Sequence, residues 1–298
     1  MQGNPDHRQT SILLITTEFP PYSPKIGGMI RITTMADFLS RYGYRVYVLS
    51  YKRHSRWEEK IPLNPHVSLN GIYSFPVYWE SFVEGNAVIK WIAKRIYNAR
   101  RSGAIDAYEA DHELFVRGAM RLIVEHDISN VFITTPPHSL RKVGLSLKKH
   151  YGNAINLIVD YRDAWTLRKQ YVDGINENLL SSWRKREQES FDHADHTLFV
   201  SEGMLEDHKN NFTVKNGHVI ENGFIDYEEL PETDPNVSQS IQDLRSEGRI
   251  IFGFFGTGSL NGEHPHKDFG RLLDVLEAMP EYARKSALFL QGNVGLPD

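Results

Sequence analysis

The sequence predicts an α/β protein: a doubly wound parallel-sheet domain followed by an incomplete second domain of the same kind. Three observations carry that expectation. Short apolar runs of five or six residues, rich in β-branched side chains, recur along the chain, as strands buried on both faces require. Segments of helical periodicity separate them, and such alternation favours parallel pairing. Between residues 226 and 247 the composition shifts to Glu, Asp, Pro, Ser and Asn, after which the alternation restarts.

Taken in order, residues 11–16 (SILLIT) read as a buried strand feeding the Pro-rich stretch 18–24. Gly27 and Gly28 precede a helix whose Ile32, Met35, Ala36 and Leu39 fall at i, i+3, i+4 and i+7, and Gly43 stops it. Residues 45–50 (RVYVLS) form a second strand and complete a βαβ unit. Helices are expected over 87–101 and 105–125, a strand over 131–135 (VFITT), and a helix over 138–150 that ends at Gly152. Strand 155–160, helix 176–193, strand 197–201, helix 202–210 and the short strand 218–221 follow. The first domain is thus expected over 1–235, with a solvated linker to about 247. In the second domain, 248–298, the sequence predicts strand 249–255 (RIIFGFF), helix 267–279 and strand 287–291. One such unit of about 50 residues hides too little surface to be stable alone, so this domain is expected to be truncated or to borrow its packing.

At 298 residues and a net charge of -4, the chain has the balance of an ordinary globular enzyme, and nothing in the totals points to nucleic acid. It contains no cysteine, which excludes disulfides, thiolate catalysis and zinc–thiolate sites and fits a reducing compartment. The first ten residues are polar, and no run approaches the roughly 20 apolar residues of a membrane helix. A cytoplasmic protein without a secretion signal is expected.

In doubly wound sheets, ligands bind at the carboxyl ends of the strands. The segments leaving these strands are chemically dense: TTEFPPYSPKIGG, TTPPHS, DYRDAW, SEG, ENGF and FGTGSLNGEHPHK. Gly27 and Gly28 sit at a helix N-terminus, where free N–H groups attract a phosphate; a tight turn would need the same glycines, and the spacing is not GxGxxG. His138 follows two prolines at the start of a helix, placed either to hydrogen-bond a reacting substrate or to cap that helix. Asp160, Arg162 and Asp163 put two carboxylates and a guanidinium within four residues just past a strand. Asp163 can orient an acceptor hydroxyl, with Arg162 as its ion-pair partner; an N-cap and a solvated pair would use the same residues. His264, His266 and Asp268 resemble a metal cluster only superficially, since a proline intervenes and no third histidine is well placed, and no metal is expected. Over 87–101, Lys90, Lys94, Arg95, Arg100 and Arg101 interleave with Val88, Ile89, Trp91, Ile92 and Ile96, with no acid among them. Such a helix can lie on an anionic membrane, or pack on the sheet with a solvated basic edge.

In their order, EFPPYSPKIGG, TTPPHS, DYRDAW, HADHTLFVSEGM, VIENGF and FFGTGSL followed by HPHKDFGRLLDVLE resemble the retaining GT-B glycosyltransferases of family four. That group includes bacterial lipopolysaccharide and capsule enzymes, and the resemblance spans essentially the whole chain. It implies a GT-B fold of Rossmann-like domains and a hexosyltransferase. The implied reaction moves a sugar from a UDP- or GDP-linked donor to a glycan or lipid-linked acceptor in polysaccharide or lipopolysaccharide biosynthesis, with neither metal nor other cofactor. By position, the resemblance implies that Gly27, Gly28, Arg31 and Lys267 serve the donor phosphates and that His138 lies near the transferred sugar. It also implies that Asp163 serves the acceptor side and that Asn222–Gly223 is a structural turn; Arg162 and Glu18, just past their strands, are further acceptor-side candidates. Lys90, Lys94 and Arg95 mark the candidate membrane face, so the expected location is cytoplasmic or peripheral at the inner membrane face. A cation near a departing diphosphate has a physical reason, because the leaving group develops negative charge.

Two departures qualify the resemblance. Thr257-Gly258-Ser259 stand where many members carry an arginine, and the paired-glutamate segment that grips the nucleotide sugar in the family would lie past Asp298. A transferase therefore competes with a catalytically incomplete acceptor- or membrane-binding module. A nucleotide-sugar epimerase on the same fold is a third reading, disfavoured by the PPHS and DYRDAW loops.

Overall fold

The computed structural model describes residues 10–22, 28–53, 64–80, 87–100, 104–223, 235–255, 258–259, 270–291 and 294–295. Two compact units divide the chain, Met1–Ile225 and Asp226–Asp298. In the first, strands β1 (Ser11–Ile15), β2 (Arg45–Tyr51), β3 (Val67–Ile72), β4 (Asn130–Thr135), β5 (Asn156–Tyr161), β6 (His196–Phe199) and β7 (Gly217–Val219) form one sheet. Its order is β3-β2-β1-β4-β5-β6-β7, and every pairing is parallel. The order reverses between β1 and β4, which opens a crevice at the carboxyl ends of those two strands. Helices α1 (Gly28–Arg41), α2 (Phe75–Glu80), α3 (Ala87–Arg100), α4 (His112–Glu125), α5 (Leu140–Tyr151), α6 (Lys169–Val172), α7 (Glu177–His193) and α8 (Glu202–Asn211) connect and cover it.

Alternation along the strands builds a core on each face, because successive side chains of a strand point to opposite sides. Leu13 and Ile15, Val131 and Ile133, and Leu157 and Val159 pack with Phe115, Ala119 and Leu122 of α4 and Val143 and Leu147 of α5. The intervening Ile12, Leu14, Val46, Val48 and Phe132 pack with Ile32 and Ala36 of α1. Gly144 lets α5 approach closely, since a Cβ there would stand 2.8 Å from Ile133 Cδ1. Helix starts follow the sequence chemistry: Asn176 Oδ1 accepts from Leu179 N at 2.9 Å, and Ser201 Oγ accepts from Met204 N at 3.2 Å. Gly43, at φ 89°, takes the left-handed turn that ends α1.

The second unit contains α9 (Pro235–Ser246), β8 (Ile250–Phe255), β9 (Gly258–Ser259), α10 (Gly270–Ala278), α11 (Pro280–Arg284), β10 (Ser286–Gln291) and β11 (Val294–Gly295). β8 pairs in parallel with β10, from Ile250↔Ser286 to Phe255↔Gln291, and β9 pairs in parallel with β11.

Several segments differ from the sequence reading, among them the short helices α2 and α11 and the two-residue strands β9 and β11, which are too brief for periodicity to mark. β3 was hidden because, as an edge strand carrying Asn70 and Gly71, it is mostly half-exposed and lacks an apolar run. Residues 105–108 are not helical: Asp106 turns back to accept from Tyr108 N at 3.0 Å and from Ser139 N at 2.9 Å, and α4 begins only at His112. α6 is a single short turn inside a loop, too brief for periodicity to register. Residues 235–246, expected to be linker, form helix α9, whose Ile241 and Leu244 are half-buried despite the polar composition. No helix among the described residues is long and apolar enough to cross a membrane.

Candidate functional site

A cavity of about 590 Å³ lies at the carboxyl ends of β1, β4 and β5. Thr16, Thr17 and Glu18 enter it from the end of β1, Pro136, Pro137 and His138 from β4, and Arg162, Asp163 and Trp165 from β5. Asp106 and Tyr108 close one wall from the loop before α4, while Met29 of α1 and Trp183 of α7 line others. Polar groups thus converge on a partly aromatic cavity, the ordinary composition of a small-molecule site.

His138 is the most constrained of these groups, at 7% exposure. Its ring stacks on Trp165 (centroids 5.4 Å apart, 15° between planes), and Trp165 stacks in turn on Trp183 at 5.6 Å. Burial, and then the nearby Arg141, Arg162 and Arg168 cations, hold the imidazole well below its ordinary pKa of 6.5. It is therefore neutral at neutral pH, with one ring nitrogen able to donate and the other to accept.

That state links to stability with a definite sign. The unfolded histidine binds a proton below pH 6.5 and the folded one resists it, so the contribution is complete above 6.5 and is lost as the pH falls below that value. The expected loss is at most about 1.4 kcal/mol per pH unit. Urea unfolding of the wild type and of His138→Gln between about pH 7.5 and pH 5 checks this, because the variant should lose part of the slope. Equal slopes would place the titration elsewhere.

Behind His138 lies a buried ionic network. Arg141 donates through Nε to the His138 carbonyl at 3.1 Å and through Nη1 to Tyr161 Oη and, at 3.5 Å, to Glu187. Its guanidinium lies 4.2 Å from the Trp165 ring centre and 5.0 Å from that of Tyr161. Glu187 also accepts from Thr166 N and Oγ1, and His208 Nε2 stands 3.8 Å from it. Burial alone would raise the Glu187 pKa, but His208, Arg141 and Thr166 outweigh it and hold the carboxyl below its ordinary range. The network fixes both the backbone and the stacking partner of His138.

Arg162 donates from Nε to Thr135 O at 3.3 Å and from Nη2 to Pro136 O, so it holds the loop that carries His138. Burial lowers its pKa, and Asp160, Asp163 and Glu18 oppose that shift. Asp163 lines the cavity and accepts from Arg168 at 2.7 Å; its side chain is 41% exposed and can reach a ligand. Glu18 is paired with Arg53 at 3.1 Å, and Arg53 reaches Tyr108 Oη at 3.4 Å. Every nitrogen of Arg31 donates inside the protein: to buried Asp160 at 2.8 Å, to Glu221 O at 3.1 Å and to Asn222 Oδ1 at 3.3 Å. Arg31 thus ties α1 to β5 and to the turn after β7, and Thr134 Oγ1 donates to the same Asp160 at 2.9 Å.

Gly28 is the first residue of α1, and Met29 beside it lines the cavity, so the start of that helix borders the site. Gly27, Lys267, His264, His266 and Asp268 lie outside the described residues. Among the described residues there is no grouping of three or more His, Asp or Glu placed to hold a metal ion. Lys90, Lys94 and Arg95 fall on α3, away from the lining of the cavity. Sequence reasoning missed Asp106, Tyr108, Arg141 and Trp183: the first two sat in a stretch with helical periodicity, and the others lie within helices whose neighbours only folding supplies. Trp165 was in sight within DYRDAW, but its stacking partners were not.

No protein-family model matches the chain, and no curated protein matches it by sequence. Solved structures match it in shape. Sucrose-phosphate synthase from Thermosynechococcus elongatus aligns over 95% of this chain and 70% of its own, at 11% identity and a TM-score of 0.57. The catalytic domain of starch synthase IV from Arabidopsis thaliana, bound to ADP and acarbose, aligns over 97% and 69%, at 11% identity and 0.54. The N-terminal domain of Candida albicans trehalose-6-phosphate phosphatase aligns over 98% and 66%, at 10% identity and 0.54. At such identities the likeness is one of fold, and the fold is GT-B type: a Rossmann-like parallel sheet of seven strands followed by further α/β structure.

Proposed function

We propose that this protein is a glycosyltransferase, moving a hexose from a nucleotide-activated donor to an acceptor hydroxyl in the cavity of its first unit. The observation that carries the reading is the neutral, stacked His138 in the wall of a cavity at the switch point of the sheet. The GT-B fold supports it, as does the ADP and acarbose bound to the starch synthase domain that this chain resembles in shape. In the proposed reaction the acceptor oxygen bonds to the anomeric carbon while the bond from that carbon to the diphosphate breaks. The electron pair leaves with the diphosphate, and the hydroxyl proton passes to an oxygen base, either the departing phosphate or Asp163. Neutral His138 can hydrogen-bond a hydroxyl of the transferred sugar without adding charge. The start of α1 at Gly28 would stabilise the charge growing on the diphosphate. Retention of configuration and the absence of a metal or other cofactor belong to the same proposal, as does an acceptor that is a glycan or a lipid-linked sugar in polysaccharide synthesis. A cytoplasmic protein, peripheral at a membrane face, fits that acceptor.

Calorimetric titration with UDP, GDP, ADP and their sugar conjugates tests the donor. Saturable binding with a preference for one base is expected. A folded protein that binds none of them would instead be an acceptor-binding module.

A further inference from the structure

We propose that the outer face of α3 docks on an anionic lipid bilayer. Apolar side chains lie on two sides of the helix, one buried and the other exposed. Its inner side carries Ala93, fully buried, and two anchors: Tyr97 Oη donates to Tyr108 Oη at 3.3 Å, and Arg100 Nη1 donates to Asp111 at 2.9 Å. Asp111 also accepts from Tyr51 Oη at 3.0 Å and Ser74 Oγ at 2.7 Å, so the end of the helix is held by a buried carboxylate. The outer side leaves Val88 at 63%, Trp91 at 59%, Ile92 at 39% and Ile96 at 38% exposure. Isolated exposed apolar residues are ordinary, whereas four on successive turns of one helix make a patch that asks for an occupant.

Charge selects that occupant. Lys94 and Arg95 flank the patch, half-buried Lys90 lies on the helix row beside Lys94, and α3 contains no acidic residue, in a chain whose net charge is -4. The Arg95 guanidinium lies 5.0 Å from the centre of the Trp91 ring. Tryptophan and branched aliphatic side chains sit at the boundary of headgroups and acyl chains while long cationic side chains reach the phosphates, which matches this face group by group. Location supports the same occupant. Tyr108, the partner of Tyr97, lines the cavity, so α3 borders that wall and a docked protein would hold the cavity beside the membrane. Delivery of a lipid-linked acceptor rests on the proposed transferase activity; docking itself does not.

The test is co-sedimentation of the full chain, without any nucleotide sugar, with vesicles of phosphatidylcholine alone or mixed equally with phosphatidylglycerol. Binding is expected only to the mixed vesicles and should weaken as salt rises. Joint Lys90→Gln, Lys94→Gln and Arg95→Gln substitution should weaken it about 100-fold, at about fivefold per cation. Trp91→Ser should weaken it while leaving the circular dichroism and urea midpoint unchanged, since that side chain points away from the core. Failure of the wild type to bind the mixed vesicles would overturn the proposal, as would unchanged binding by the triple variant. A dimer seen by analytical ultracentrifugation and lost in Trp91→Ser would overturn it in favour of a second copy of the chain. A negative nucleotide titration would sink the transferase reading and leave this result standing.

Discussion

Replacement of His138 by alanine is expected to slow glycosyl transfer by about 100- to 1,000-fold, the usual loss when one positioned hydrogen-bonding group is removed from a reacting centre. The magnitude follows from how tightly the ring is held. It is 93% buried by the complement of its 7% exposure, stacked on Trp165, and tethered through its own carbonyl to Arg141. A group held in this way is already oriented when substrate arrives, so losing it removes an interaction that needed no reorganisation. Transfer per folded molecule is the quantity to measure, with His138→Gln beside it. Glutamine offers a donor and an acceptor without an imidazole and should recover part of the rate. If His138→Ala lowers the urea midpoint while transfer per folded molecule holds, the ring is a packing residue and the proposed role fails.

The largest expected effect on stability is at Glu187. Its side chain is fully buried, and its carboxylate serves Arg141 at 3.5 Å, Thr166 N at 3.2 Å and Thr166 Oγ1, with His208 at 3.8 Å. Glu187→Ala would leave a guanidinium and several buried donors without their acceptor, which costs about 3–5 kcal/mol. That is a large part of the roughly 5–15 kcal/mol that holds a typical domain together, so soluble yield should fall as well as the urea midpoint. Glu187→Gln separates charge from shape: it restores some hydrogen bonds but not the compensation of Arg141, and should recover only part of the loss. A drop below about 1 kcal/mol for Glu187→Ala would mean that water enters and solvates Arg141, in which case the network does not fix the loop of His138.

Much of the fold was legible because it rests on local periodicity. The apolar runs at 11–16, 131–135 and 155–160 are β1, β4 and β5, and the helical stripe of Ile32, Met35, Ala36 and Leu39 is α1. Where a segment owes its structure to distant partners, the reading failed. Nothing in VSLNGI announces the edge strand β3, which exists because β2 offers it a ladder from Val46↔Val67 to Tyr51↔Ile72. Nothing around Asp106 says that its carboxylate will meet Ser139, 33 residues away, and so unwind the expected helix.

The candidate site divides in the same way. Residue order alone places Thr16 to Glu18, Pro136 to His138 and Arg162 to Trp165 at the strand ends. A parallel sheet brings all its carboxyl ends to one edge, so residue order was enough to collect them. Their chemical state and their partners come from contacts made across the fold. Arg31 turned to Asp160, Arg162 to the carbonyls of the His138 loop, and Arg141, Glu187 and His208 met from three different helices to stiffen it. Charge and hydrogen bonding act over a few ångströms of space, and a sequence fixes those distances only along the chain, not across the fold.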